Sequence, residues 1–535
     1  MLLRTPALAT DGPAGPGPGI TPAGGDLARP APPGEAPHAI VIGSGFGGLA
    51  AAVRLQAAGY RVTVLERLDA PGGRAYVHVR DGHVFDAGPT IVTAPHLLEE
   101  LWQLAGRRFE DDIRLVPLDP FYRLRFDDGT HFDYSGDPAR MRASVGALSP
   151  ADLPGYDAFV REAERCFRLG FEDLGAKAFD TVGDLFAAVP ALLKMRAWRS
   201  LHGMVARYVR HPKLRIVMSI QSLLIGGNPF AVTCVYSLIA AMERRWGVHW
   251  AIGGTGALVR GLVGLIEGRG GVLRCNATVA QIDVQAGAGR PRATGVRLAS
   301  GERLAADLMV SNADTAWTYR HLVAPEHRRH WTDRRIAKAR YSMSLFVWYF
   351  GTRRRFEGVP HHQMVLGPRY EGLLDDIFHR HVLAEDFSTY LHRPTATDPE
   401  LAPPGHDTFY VLAPVPHLDS GTDWARMAEP FRHRLAKRLH DTVLPGFERE
   451  LTASFVTTPL DFRERLLSVK GAAFGFEPVM RQSAWFRPHN RSEDIERLYF
   501  VGAGTHPGAG IPGVLSSAKA LASVLPAAAS LLPAR

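Results

Sequence analysis

His38-Ala39-Ile40-Val41-Ile42-Gly43-Ser44-Gly45-Phe46-Gly47-Gly48 decides the fold. An apolar β-type run empties into a glycine-rich turn, and residues 49–58 then read as a helix. Gly43 suits the tight turn, Gly45 a close backbone approach to a pyrophosphate, and Gly48 close packing of helix on strand. The helix start adds unpaired N–H groups and a positive dipole end. Gly59 stands where a helix C-cap belongs, and a second apolar run, residues 61–65, ends on Glu66. Glu66 lies roughly the 20 residues downstream at which a carboxylate takes the adenosine ribose hydroxyls. Strand before and helix after make this a cradle for FAD or NAD, where a bare G-x-G-x-x-G would be a weak signal.

Outward from that stretch, a chain of 535 residues exceeds the ~250–300 at which single cores stop growing, so two intertwined domains are expected. The formal charge is +8, yet Arg is scattered among carboxylates with no basic block interleaved with stacking aromatics. That pattern argues against nucleic acid and for an anionic membrane surface as the electrostatic partner. Cys166, Cys234 and Cys275 form no C-x-x-C pair and read as buried thiols in a reducing compartment, with a cytoplasmic location expected. No apolar run reaches the ~18 residues of a membrane span. Residues 1–36, rich in Ala, Pro and Gly, lack a signal-peptide apolar core and read as a disordered tail.

Two further small-residue bends follow the cradle. Pro71-Gly72-Gly73-Arg74-Ala75-Tyr76 brings a fixed cation beside the first turn, and Phe85-Asp86-Ala87-Gly88-Pro89-Thr90 offers backbone that a planar ring could approach. Near the other end stands Leu498-Tyr499-Phe500-Val501-Gly502-Ala503-Gly504-Thr505-His506-Pro507-Gly508-Ala509-Gly510-Ile511-Pro512-Gly513-Val514. A strand, a run with almost no side chain and a helix let N–H groups approach a flat, partly anionic ring system.

These motifs, in this order, resemble the amine-oxidase and carotenoid-desaturase flavoproteins, and residues 502–514 resemble most the bacterial-type phytoene desaturases. The resemblance runs from about residue 37 to 526. It implies an α/β fold, with a Rossmann-like FAD-binding domain interleaved with an α+β substrate and membrane-binding domain. The implied FAD domain takes residues 37–94, 243–314 and 465–535, and the substrate domain 95–242 and 315–464. The implied FAD contacts are Gly43, Gly45, Phe46, Gly48, Glu66 and Arg67, then Gly73, Arg74, Gly88, Pro89, Thr90 and Val279. Gly502, Gly504, Gly510, Ile511, Pro512 and Val514 complete the set. Ala503 stands where plant-type relatives carry an acidic residue on the ribityl chain, so that contact must come from elsewhere.

The implied reaction is FAD-dependent desaturation of 15-cis-phytoene and partly desaturated carotenes to neurosporene- or lycopene-type all-trans products, by an enzyme seated on a membrane. With one dinucleotide cradle in the chain, oxygen or a quinone is the expected electron acceptor. A homo-oligomer is left open. Asp184 is the candidate proton acceptor, since relatives carry an acid there; a helix N-terminal role is the competing reading.

Other readings stay open at this level. Residues 192–210 read as one basic amphipathic helix, either packed on the core or lying in a membrane interface. The pairs His361/His362 and His379/His381 lack a third ligand at a recognisable spacing, so no metal is expected. Gly253-Gly254-Thr255-Gly256 lacks the Lys-Ser/Thr of a phosphate loop. A desaturase or ketolase-like enzyme acting later on carotenoids is the enzymatic alternative, and a flavin-free escort of prenylated proteins the non-enzymatic one.

Overall fold

A computed structural model describes residues 36–287 and 289–532, and the tail expected over residues 1–36 lies almost wholly outside them. The opening run forms the strand His38–Ile42, at the centre of a five-stranded parallel sheet. Its neighbours are Arg61–Leu65 and Leu308–Ser311, and the edges are Val272–Arg274 and Leu498–Phe500. Counted along the chain, the order is 3-2-1-4-5. Ligands of such sheets bind beyond the carboxyl ends of the strands where the order reverses, here between the first and fourth strands.

The helix Phe46–Ala57 follows the turn, buried along nearly its whole length against the sheet and the helix Ile511–Ala522. Gly48 is obligatory there: a Cβ would come within 2.1 Å of the Gly43 carbonyl oxygen. Asn312, at the end of the fourth strand, lies between the two chain ends. A Cβ on Gly47 or on Gly502 would each come within 2.6 Å of its Oδ1. First and last motifs are thus packed around one side chain.

A second, seven-stranded sheet carries the rest of the architecture. Its longest strands are the antiparallel pair Ser344–Thr352 and Asp407–Val415; Leu451–Thr457 forms the edge beside the first, and from the second the sheet runs through Thr389–His392 and His362–Val365 to the hairpin Tyr122–Arg125 and His131–Tyr134. Strand alternation divides its faces. Phe346, Trp348, Phe350, Phe409 and Val411 pack on Phe431, Leu435 and Leu439 of the helix Trp424–Thr442. Tyr349, Tyr410 and Leu412 point the other way, toward a cavity shared with the first sheet.

Apolar spacing predicts one strand over residues 272–279 and one helix over 192–210, and both expectations are corrected. Residues 272–279 are not one strand: Val272–Arg274 joins the parallel sheet, and Val279–Gln285 opens a separate three-stranded antiparallel one. Between them Asn276 takes φ 54°, and its neighbour Ala277 donates to the Glu66 carbonyl at 2.8 Å. Nor do residues 192–210 form a single helix. The helix Val182–Met195 ends at Arg196 in the left-handed conformation, and Ser200 caps a new short helix, Leu201–Val205. Leu201 and Val205 are buried. The exposed apolar face lies earlier, on Val182–Met195.

Candidate cofactor and substrate site

Helices end in orphan N–H groups, and most proteins cover them with a side chain. Here Asp137, Thr181, Ser200 and Asp423 cap their helices. Two 12-residue helices lack such a cap. Phe46–Ala57 begins at Gly45 and Ile511–Ala522 at Gly510, each with no side-chain cap and no acidic residue in its first turn. Both bare ends line one cavity of about 630 Å³, within the ~300–1,000 Å³ of cofactor and ligand sites. Uncapped dipole ends converging on one space form an anion cradle.

The neighbouring groups suit a dinucleotide. Glu66 is buried beside the turn, its Oε2 accepting from the Ser44 N–H at 2.9 Å and hydroxyl at 2.6 Å, its Oε1 from the Leu68 N–H at 2.9 Å. This holds the carboxylate rigidly at the cavity wall. Arg67 donates to the Arg465 carbonyl at 2.7 Å, Arg74 to the Ser468 hydroxyl at 2.9 Å. Arg74 is a partly buried cation in the cavity wall: burial pushes its pKa down, the Asp314 carboxylate offsets part of that, and its Nε has no partner. Asp314 likewise has its carboxyl pKa raised by burial.

Of the residues anticipated from sequence, Gly43, Gly45 and Phe46 line the cavity with Glu66, Arg67, Gly73 and Arg74. Gly88, Pro89 and Thr90 line it as well, with Val279 and Gly510, Ile511, Pro512 and Val514. Gly88 is fixed by crowding, since a Cβ would lie 2.1 Å from the Arg74 carbonyl oxygen. Gly48, Gly502 and Gly504 are not part of the lining. They sit one layer beneath it, where Gly502 and Gly504 admit Asn312 and Thr315.

Asp184 is also outside the lining, and its chemistry is accounted for locally. It is the N3 residue of a capping box: Oδ2 accepts from the Thr181 N–H and hydroxyl, both at 2.8 Å, and Lys177 Nζ lies 3.6 Å from Oδ1. Those bonds hold its carboxyl below the usual range, Thr181 contributing most. The structure thus gives Asp184 the helix-start role that competes with proton acceptance in the sequence reading.

Two groups, Glu243 and Arg487, escaped the sequence reading. Glu243 lies in the apolar cavity wall beside Ile239 and Met242, 1% exposed. Its Oε2 accepts from the Tyr122 hydroxyl at 2.9 Å and its Oε1 has no partner; burial raises its pKa to about 8. Only an isolated acid in an apolar run marked it in the sequence. Arg487, also fully enclosed, donates to the carbonyls of Ala503 at 2.6 Å and Thr505 at 3.1 Å, and so shapes the C-terminal glycine run from behind. Thr90 bridges the hydroxyls of Tyr390 at 3.1 Å and Tyr410 at 2.8 Å in the wall.

Residues 46–525 match the family described as flavin containing amine oxidoreductase. The chain belongs to this family. The flavoprotein is 48% identical over 500 residues to a neurosporene-forming phytoene desaturase of Cereibacter sphaeroides, covering 92% of this chain and 96% of that one. It is also 48% identical over 488 residues to a lycopene-forming phytoene desaturase of a Paracoccus species, covering 91% and 97%. Among solved structures it is similar in fold to a putrescine oxidase variant, with a TM-score of 0.62 at 14% identity over 92% and 98% of the two chains. The cofactor of this flavoprotein is FAD. Its donors fit that group: two bare helix starts for the anionic moieties, and the Arg74 cation in the wall of the same space.

Proposed function

We propose that the chain is an FAD-dependent phytoene desaturase, acting on phytoene and partly desaturated carotenes to give neurosporene- or lycopene-type products. The observation that carries this reading is the near-complete, 48% identical match to two phytoene desaturases, joined to a cavity whose far wall is hydrocarbon. Leu223, Leu224, Leu238, Ile239 and Met242 supply that wall. Such side chains align a polyene by shape and exclude water from it.

Bound FAD supplies the acceptor for two electrons and one hydrogen. The neighbouring carbon must lose a proton, and Glu243 is the carboxyl embedded in the hydrocarbon wall with a free Oε1 to receive it. Tyr122, itself bonded by Gln221 at 3.1 Å, steadies the other oxygen. Oxygen or a membrane quinone completes the proposed cycle as electron acceptor.

A hydrocarbon substrate resides in a bilayer, and the helix Val182–Met195 is suited to reach it. Val182 is 57% exposed, Phe186 70% and Leu193 58%, with Trp198 at 57% just beyond the helix end. Lys177, Lys194 and Arg196 flank this face. Apolar side chains rimmed by cations dock on anionic lipid without spanning it. No helix among the described residues is long and apolar enough to cross a membrane.

The test is incubation of the flavin-loaded protein with 15-cis-phytoene in anionic liposomes, under air or with a quinone, followed by chromatography and absorption spectra. Neurosporene or lycopene is the expected product, and unchanged phytoene under both acceptors overturns the reading. Co-sedimentation tests the docking separately: Phe186→Glu with Leu193→Glu should lower vesicle binding at least tenfold at unchanged flavin content. Equal sedimentation of variant and parent would remove the helix from that role.

A further inference from the structure

We propose that His361, His362 and His392 form a buried binding site for a divalent d-block ion of the zinc class. The sequence pair His361/His362 lacked a third ligand because the third lies 30 residues downstream. Antiparallel pairing supplies it: in the register of His362–Val365 with Thr389–His392, His362 stands directly opposite His392. One ring nitrogen from each of the three residues lies within 4.8 Å of those of the other two. The Nδ1 atoms of His362 and His392 are 3.3 Å apart. Those two nitrogens are hydrogen-bonded to each other, so the atoms of the pair left for an ion are the two Nε2.

The hydrogen bonding around the rings is what ligand histidines require. His361 Nδ1 is 2.7 Å from the Thr397 hydroxyl, and His362 Nδ1 is 2.7 Å from the Tyr390 hydroxyl. Ligating imidazoles characteristically engage one nitrogen with an oxygen and leave the other for the metal. All three Nε2 atoms are buried and have no partner, in residues no more than 5% exposed. Leaving three such atoms unsatisfied in a packed interior is costly, and an ion answers the cost at one stroke.

Imidazole sets favour zinc and its neighbours over calcium or magnesium, which take oxygen ligands. The Tyr390 and Thr397 hydroxyls are the oxygens bonded to the cluster's rings. A carboxylate stands one ring behind: Trp250 packs across His361 and His392 at 4.8 and 5.3 Å between centroids, and its Nε1 lies 3.3 Å from Asp398 Oδ2. An ion here would clamp neighbouring strands of the seven-stranded sheet. Through Tyr390 and Thr90 it would brace the cavity wall, without touching the FAD cradle.

The test uses the flavin-loaded full chain, refolded or expressed with zinc sulfate and passed through gel filtration with a weak chelator. Elemental analysis should find about one zinc per chain, and X-ray absorption at the zinc edge should show three imidazole nitrogens at ~2.0–2.1 Å. His392→Ala and the triple alanine variant should lose at least tenfold of the metal with flavin content unchanged. Less than a tenth of an equivalent in the parent protein overturns the site, whatever the variants do. So does metal retained in full by a folded triple variant, or an absorption spectrum lacking imidazole scattering.

Discussion

Two helices of this protein begin in nearly the same sequence and meet opposite fates. Phe46–Ala57 starts from Gly-Ser-Gly-Phe-Gly-Gly and Gly254–Gly268 from Gly-Gly-Thr-Gly, both without a side-chain cap of their own. At the second, the protein has filled its own anion site. Asp86 reaches across from a neighbouring strand to accept from the N–H groups of Thr255 at 3.0 Å and Gly256 at 3.4 Å, and Asp398 takes the Gly253 N–H at 2.7 Å. At the first, Glu66 takes only the Ser44 N–H ahead of the helix, no carboxylate reaches the N–H groups of Phe46, Gly47 or Gly48, and the start opens into the cavity. A glycine-rich turn therefore becomes a cofactor site by what the rest of the fold withholds from it.

The contrast breaks most completely if the first helix is given what the second has. Gly45→Asp puts a carboxylate on the bare start and should abolish flavin retention, read from absorbance near 450 nm. Gly45→Ala is the control for bulk, since its Cβ would lie 3.0 Å from Asn312 Nδ2. Equal flavin in the Asp and Ala variants would refute the electrostatic account.

Next in size is the carboxyl that the fold leaves inside the cavity. Glu243→Gln should slow turnover per bound flavin by about 10²–10⁴-fold. With its pKa raised to about 8, the parent group is neutral below that pH and ionised above it, so activity should climb with pH through about 8 and the variant's profile be flat. Stability runs the other way. The folded state holds this proton while the unfolded chain releases it near pH 4.3, so its contribution is full below that pH and lost as pH rises through about 8. Melting temperatures of the variant should gain on the parent across that window; parallel curves would count against the buried, protonated carboxyl.

Removing the plug from the second helix is a smaller change. Asp86→Ala strands two buried N–H groups and should cost ~1–3 kcal/mol in chemical denaturation, with flavin still bound by the separate cradle. The smallest effect belongs to an ordinary cap. Asp184→Ala loses the capping box at Thr181, for about 0.5–2 kcal/mol, and turnover per flavin should stay at the parent level. A fall beyond tenfold would return Asp184 to the chemistry.

What the sequence made legible is local and periodic. The strand His38–Ile42, its glycine turn and Glu66 announce themselves because every residue of the motif answers to a neighbour within about 30 positions. The C-terminal glycine run does so as well. Long-range pairing was not legible: nothing near His362 names His392, and nothing near Asp86 says that its carboxylate will occupy a helix start at Thr255. Residues 192–210 misled for a different reason. Their amphipathic spacing is real, but Arg196 at φ 52° breaks the helix and turns Leu201 inward, so the solvent-facing apolar surface moves to Phe186 and Leu193.

Asn312 carries a consequence in time as well as in space. It packs against Gly47 and Gly502 together, and the parallel sheet that supports it ends in Leu498–Phe500. During synthesis the first strand, turn and helix emerge early, but the strand that closes their sheet is made last. The nucleotide cradle is then a site assembled only after residue 498 has been made, and a ribosome-bound chain halted before it should capture no flavin.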